Sequence, residues 1–205
     1  MPLLAGARLA VLDTETTGFD PARGHELIEV AIVDVVDGAI GGTWSSFVRP
    51  MRPIPAGAAA VHGITAAMVA DAPEPNAVAR ELASRCQGAV LVFHHAAFDL
   101  PFLQQLLRGA GLPPLVQPVL DTFGLAKLVK PKSHGLSALA LELGLPPEPP
   151  HRALGDALTT ARLLLVLAPR WEAERRIRSL AELAAESQDA LRSRRERRSE
   201  TPVPA

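Results

Sequence analysis

The order of apolar runs along this chain predicts an α/β layered domain built on a mixed sheet. Three observations lead there. The first third of the sequence holds three runs of strand length joined by short turns, the pattern of an antiparallel meander. From residue 76 onward, helix-spaced segments alternate with short aliphatic runs. Hydrophobic residues make up 48% of the 205 residues, enough to fill the core of one domain plus an appendage.

Residues 8–13 (RLAVLD) form the first strand. Leu27–Val36 is rich in β-branched residues, Gly38 marks a turn, and Thr43–Val48 pairs back as a third strand. After Pro50 the segment MRPIPAGAAAVHGIT is broken by Pro53, Pro55, Gly57 and Gly63 and reads as an exposed loop. Asn76–Gln87 is helical, with Val78, Leu82 and Cys86 on one face, and Ala89–Phe93 is a buried strand. Phe98–Leu107 is a second amphipathic helix, ended by Gly109 and Gly111. Val119–Asp121 is a short strand, followed by helices over Thr122–Val129 and Leu136–Leu143. Pro146, Pro147, Pro149 and Pro150 interrupt the chain before a helix from about Ala153 to Leu167, and Pro169 ends the domain. Trp171–Arg198 is charged and helical, with Ile177, Leu180, Leu183 and Leu191 as sparse apolar positions. The expected division is a domain over 1–168 and a helical tail over 169–205 with a disordered end.

Composition excludes several classes. Cys86 is the only cysteine, so an internal disulfide and a cysteine-based zinc site are ruled out. The N-terminal apolar stretch has no basic region before it and runs into acidic residues, as a first strand does and a signal peptide does not. No apolar run reaches the length of a membrane span, so the expectation is a soluble, cytoplasmic protein with no membrane partner. A formal net charge of −1 carries no nucleic-acid signal by itself. Lys127, Lys130 and Lys132 and the arginines between 192 and 198 are candidate phosphate contacts, or equally solvated faces.

Five residues in three segments carry the chemistry. Asp13 and Glu15 lie two apart, and on a strand such residues point to one side, where both carboxylates could face a cation. The same pair also fits an ordinary solvated strand end. Asp99 follows the buried run AVLVF at the start of a helix, where an acid is favoured by the helix dipole even without a ligand. His94 and His95 could ligate or simply pack. His151 and Asp156 straddle the start of a later helix. The prolines place His151 outside it, on a movable loop, while Asp156 sits about a turn inside. A fixed carboxylate suits a cation, and an imidazole suits proton transfer because histidine ordinarily titrates near neutrality.

Together, VLDTETTG, HHAAFD and HRALGDA resemble the three motifs of the DEDDh 3′–5′ exonucleases, in particular the proofreading epsilon subunit of bacterial DNA polymerase III and its stand-alone relatives. VHGIT at 61–65, LDT at 120–122 and SHGLSALALELGL at 133–145 extend the resemblance over about residues 8–168. It implies a ribonuclease-H-like fold, with a mixed five-stranded sheet flanked by helices. It also implies two divalent ions, Mg²⁺ or Mn²⁺, held by Asp13, Glu15, Asp99 and Asp156, with Asp13 shared between them. His151 is then the general base toward the attacking water, and nucleoside 5′-monophosphates leave from a 3′ end. Thr14, Thr16, His62 and Phe98 match positions around the terminal nucleotide. The substrate implied is a single-stranded or frayed 3′ end of DNA, in proofreading or repair, with a DNA polymerase subunit as a partner. A 3′–5′ exoribonuclease and a non-catalytic interaction module are the alternatives. The absence of a glutamine-led clamp-binding motif after the last helix favours a stand-alone enzyme. One motif departs from the family's H-N-A-x-F-D, with His95 standing where asparagine is usual.

Overall fold

The computed structural model describes residues 2–129, 131 and 133–199. Three strands, β1 (Arg8–Thr16), β2 (Leu27–Val36) and β3 (Ala39–Phe47), form the expected meander. Both β1–β2 and β2–β3 are antiparallel, with Asp13 opposite Ala31 and Glu15 opposite Glu29. Strand β3 starts four residues before Thr43 because Asp37 and Gly38, at φ 52° and 75°, close a two-residue hairpin turn. Strands β4 (Val90–Phe93) and β5 (Val119–Asp121) add in parallel beyond β1, which gives the order β3-β2-β1-β4-β5. The expected mixed five-stranded sheet is therefore present.

Helices cover both faces, as strand alternation demands. On one face, Ala10, Leu12, Val30 and Ile32 pack with Val78 and Leu82 of the helix Pro75–Cys86 and Phe102 and Leu103 of the helix Ala96–Gly109. In chain order the helices so far are α1 (Ala56–His62), α2 (Ala66–Val69), α3 (Pro75–Cys86) and α4 (Ala96–Gly109). On the other face, Leu9, Val11, Ala31, Val33 and Val35 pack with Leu163, Leu164 and Leu167. The remaining helices are α5 (Thr122–Leu125), α6 (Leu136–Glu142), α7 (Ala153–Arg175) and α8 (Leu180–Ser199). A 3₁₀ segment, Ala126–Val129, completes the region expected to be one helix over 122–129.

Two expectations change. The segment after Pro50 is not all loop, because it contains α1 and leads into α2. Its Pro and Gly residues act as boundaries: Pro55 precedes α1, Gly63 closes it at φ 69°, and the Thr65 hydroxyl accepts from the Met68 N–H to start α2. Pro169 does not end α7, which runs on to Arg175 and stops at Arg176, φ 56°. An internal proline costs a helix about 3 kcal/mol, and the burial of Leu167, Ala168 and Trp171 around it offsets that cost. The expected boundary at residue 168 thus falls inside α7. Trp171 is buried and its indole N–H donates to the Leu125 carbonyl at 3.0 Å. Ile177, Leu183 and Ala184 join the same core cluster, and α8 lies against α5 and β5. Lys130, Lys132 and residues 200–205, where the disordered end is expected, lie outside the described residues. Among the described residues, no helix is long and apolar enough to cross a membrane.

Candidate active site

The polar residues gather around the C-terminal ends of β1 and β4 and the first turns of α4 and α7. Asp13 and Glu15 extend the face that Leu9 and Val11 turn toward α7, and Asp156 sits in the first turn of α7. One carboxylate oxygen from each of Asp13, Glu15 and Asp156 lies within 4.8 Å of the other two. The expected pairing of Asp13 with Glu15 on one side of a strand is observed. Thr14 alternates to the other face, where its hydroxyl donates to Asp99 Oδ1 at 2.7 Å. Asp99, buried in the first turn of α4, is therefore turned toward Thr14 and stands outside the 4.8 Å group.

The four carboxylates still feel one another. Burial raises the Asp13 carboxyl well above its ordinary range, and the charges of Asp99, Asp156, Glu15 and Glu29 raise it further. Burial, then Asp156 and Glu29, pushes Glu15 up to about 8, with Arg152 opposing. Burial takes Asp99 to about 7 despite the Thr14 hydrogen bond. Burial also raises Asp156, against the stabilising bond from the His151 N–H. Oxygen ligands crowded this way, with too little positive charge among them, hold either protons or hard divalent cations.

His151 is exposed and lies outside α7, at φ 56°. The backbone around His151 makes several close contacts in the structure. The His151 N–H donates to Asp156 Oδ2 at 2.9 Å. Glu148 pairs with Arg162 at 2.5 Å. Pro149 packs so closely on Gly155 that a Cβ there would collide with the Pro149 carbonyl oxygen.

Asp121 and Glu29 were not singled out by the sequence reading. Asp121 is fully buried and accepts from the N–H groups of His95 (3.0 Å), Ala96 (2.8 Å) and Phe123 (2.9 Å). It caps both α4 and α5, and so fixes the helix turn that bears Asp99. Its only sequence signal was the LDT match. His95 adopts the left-handed conformation at φ 78°. That region is accessible to asparagine and, among bulkier residues, also favours histidine, which explains how His95 can stand where asparagine is usual. Its ring tilts against Phe123 at 5.2 Å. His94 serves the fold: its ring nitrogens meet Thr122 Oγ1 and the His134 carbonyl, each at 2.9 Å.

Beside the acids lies a cavity of about 320 Å³ lined by Glu15, Thr16, Phe19, Val61, His62 and Phe98, among others. Three of the four residues expected to meet substrate line it, and Thr14 does not, lying buried against Asp99. Phe98 packs on Phe102 at 5.5 Å on one side and meets Phe19 edge-on at 6.5 Å on the other. Phe19 is 88% exposed, an unusual state for so large an apolar side chain. His62 is buried, its Nδ1 accepts from the Ile64 N–H at 2.9 Å, and burial holds its pKa below the ordinary value.

The family model described as Exonuclease (RNase_T) matches residues 10–164 of this chain. A DNA polymerase III subunit epsilon-like protein of Rhodobacter capsulatus is 46% identical over 167 residues, covering 78% of this chain and 23% of that protein. The 3′-5′ exonuclease DinG of Bacillus subtilis is 37% identical over 160 residues, covering 77% of this chain and 17% of that protein. The chain thus spans less than a quarter of the length of either relative. A solved structure of exonuclease X in complex with 5′-overhanging duplex DNA superposes with a TM-score of 0.65 at 33% identity, over 86% of this chain and 99% of that one. An exonuclease I structure, 16% identical, shares the fold at a TM-score of 0.72 over 80% of this chain and 42% of that one.

Proposed function

The chain belongs to the exonuclease family whose model it matches, and from that premise we propose that it is a divalent-metal-dependent 3′–5′ exodeoxyribonuclease. It removes nucleoside 5′-monophosphates from single-stranded or frayed 3′ ends of DNA, in cytoplasmic proofreading or repair. The observation that carries this reading is the convergence of Asp13, Glu15 and Asp156 within 4.8 Å, next to a cavity bordered by two aromatic rings. Names among the relatives support the same direction: a polymerase III epsilon-like protein, a 3′-5′ exonuclease, and an exonuclease bound to DNA.

The donor set fits hard divalent cations, since it offers carboxylate oxygens and no thiolate. Asp13, Glu15, Asp99 and Asp156 would hold a pair of Mg²⁺ or Mn²⁺ ions. Bound there, such ions activate the attacking water and stabilise the leaving 3′ oxygen. The protein's own groups do the rest. Phe19 and Phe98 offer ring faces on which an unpaired terminal base can stack. Thr16 and His62 border the space for its sugar. Thr14 sets Asp99 from beneath. His151 takes the proton of the attacking water, from a backbone position set by its bond to Asp156. A DNA polymerase is the partner that the epsilon-like relative suggests.

The test is a gel assay with 5′-labelled single-stranded DNA and a matched RNA, each with Mg²⁺, Mn²⁺ or EDTA. The expected outcome is a metal-dependent ladder shortening from the 3′ end of DNA, faster than on RNA. Faster shortening of RNA would assign the chain to the exoribonucleases. No cleavage by a folded chain would favour a non-catalytic module.

A further inference from the structure

Glu29 contributes neither to the three-carboxylate group nor to the cavity, yet it carries a fully bonded carboxylate beside them. We propose that Glu29 and Arg152 form a positioning pair that places His151 and Asp156 against Asp13 and Glu15. The proposal deepens the exonuclease reading above and rests on it for the role of His151.

The geometry is specific. Glu29 stands on β2 directly opposite Glu15 of β1, and its side chain is 6% exposed. Both carboxylate oxygens are engaged. Arg152 Nη2 donates to Oε1 at 2.8 Å and Arg152 Nε to Oε2 at 3.2 Å, a two-point fork that fixes the guanidinium plane. Oε2 also accepts from the Ala153 N–H at 3.0 Å, the first amide of α7. One carboxylate from the sheet therefore caps the helix and grips the residue before it. The guanidinium lies over the Phe47 ring at 5.5 Å, so β3 also supports it.

Arg152 directly follows His151, and α7 carries Asp156 in its first turn. The pair thus turns strand register into the placement of the base and the third carboxylate relative to the first two. Stability alone is a weak reason for such a pair, because Arg152 is 40% exposed, so water screens its attraction to the buried Glu29. It also places a fifth carboxylate among four that already repel one another. Fixing the backbone that carries a proton acceptor gives that arrangement a purpose.

The test uses the full chain and variants Arg152→Ala, Arg152→Lys and Glu29→Gln, alone and combined with His151→Ala, on 5′-labelled single-stranded DNA with Mg²⁺. Arg152→Ala is expected to lower kcat by about 10–100-fold with little change in KM, as loss of an outer support does. Arg152→Lys recovers little, because an ammonium cannot form the fork. Adding His151→Ala to Arg152→Ala costs far less than His151→Ala costs alone, because the pair acts through that imidazole. A wild-type rate in Arg152→Ala, or losses that multiply in full, overturns the proposal. Amide hydrogen exchange supplies a second readout. In Glu29→Gln, which keeps the side chain's shape, residues 151–156 lose protection while β1 and β4 keep theirs; unchanged protection at 151–156 also overturns it. Absence of cleavage by the unmodified chain would sink the exonuclease reading instead, and exchange would still report on the pair.

Discussion

At Asp13, burial and ionisation oppose each other, and the fold accepts the conflict. The side chain is crowded by Asp99, Asp156, Glu15 and Glu29, all of which disfavour its charge. Asp13→Ala is therefore expected to eliminate cleavage while leaving the melting temperature in EDTA equal to or above that of the unmodified chain. A variant with full activity removes the metal assignment. His151→Ala should lower the rate by roughly 10²–10⁴-fold, the span usual for a general base; an unchanged single-turnover rate would place the base elsewhere. His95 gives a backbone prediction. At φ 78°, His95→Asn should melt close to the unmodified chain, whereas the β-branched His95→Val should lose about 1–2 kcal/mol, read by denaturant unfolding. The grouping of Asp13, Glu15 and Asp156 was legible because each lies in a distinctive short motif. Glu29 was not, because within LIEVAIVDVV it reads as the polar member of an ordinary strand.

At the scale of elements, proline was the least reliable sign. Pro55 and Gly63 are breakers, but they bracket α1 instead of dissolving it. Pro169 sits within α7 because the residues around it are buried, and a local rule carries no information about that burial. The helical ending is accordingly predicted to stabilise the domain over which the motifs lie. Trp171→Ala should lower stability by about 3–5 kcal/mol, as deletion of a buried aromatic does, and a chain cut after residue 168 should melt at a lower temperature still. Equal melting temperatures for cut and full chains would show instead that the division at 168 is a true domain boundary.

For the whole molecule, the shared burial of the acids makes stability depend on pH and cations together. Glu15 moves from 4.5 to about 8 and Asp99 from 3.8 to about 7. Between the ordinary and the raised values, the folded chain binds more protons than the unfolded one. The stability these groups contribute is therefore present below the ordinary values and lost as pH rises through about 7 and 8. In EDTA, the melting temperature should fall between about pH 5 and pH 8. Mg²⁺ or Mn²⁺ should restore it, and restore more at the alkaline end, because the cation replaces protons. A melting temperature that rises with pH in EDTA and ignores both cations would contradict the clustering of these charges.

By itself the sequence determined the α/β class, the strand order in time, the motifs and the residue types, because these depend on local periodicity and on short contiguous patterns. The tertiary structure alone decided that Asp99 accepts from Thr14 while its charge bears on Asp13, that Asp121 caps two helices, and that Arg152 reaches Glu29 across 123 positions of chain. Each of those outcomes depends on which elements the sheet brings side by side. Long-range contacts of that kind are chosen by packing and by the need to pair buried polar groups, not by the residues next in line.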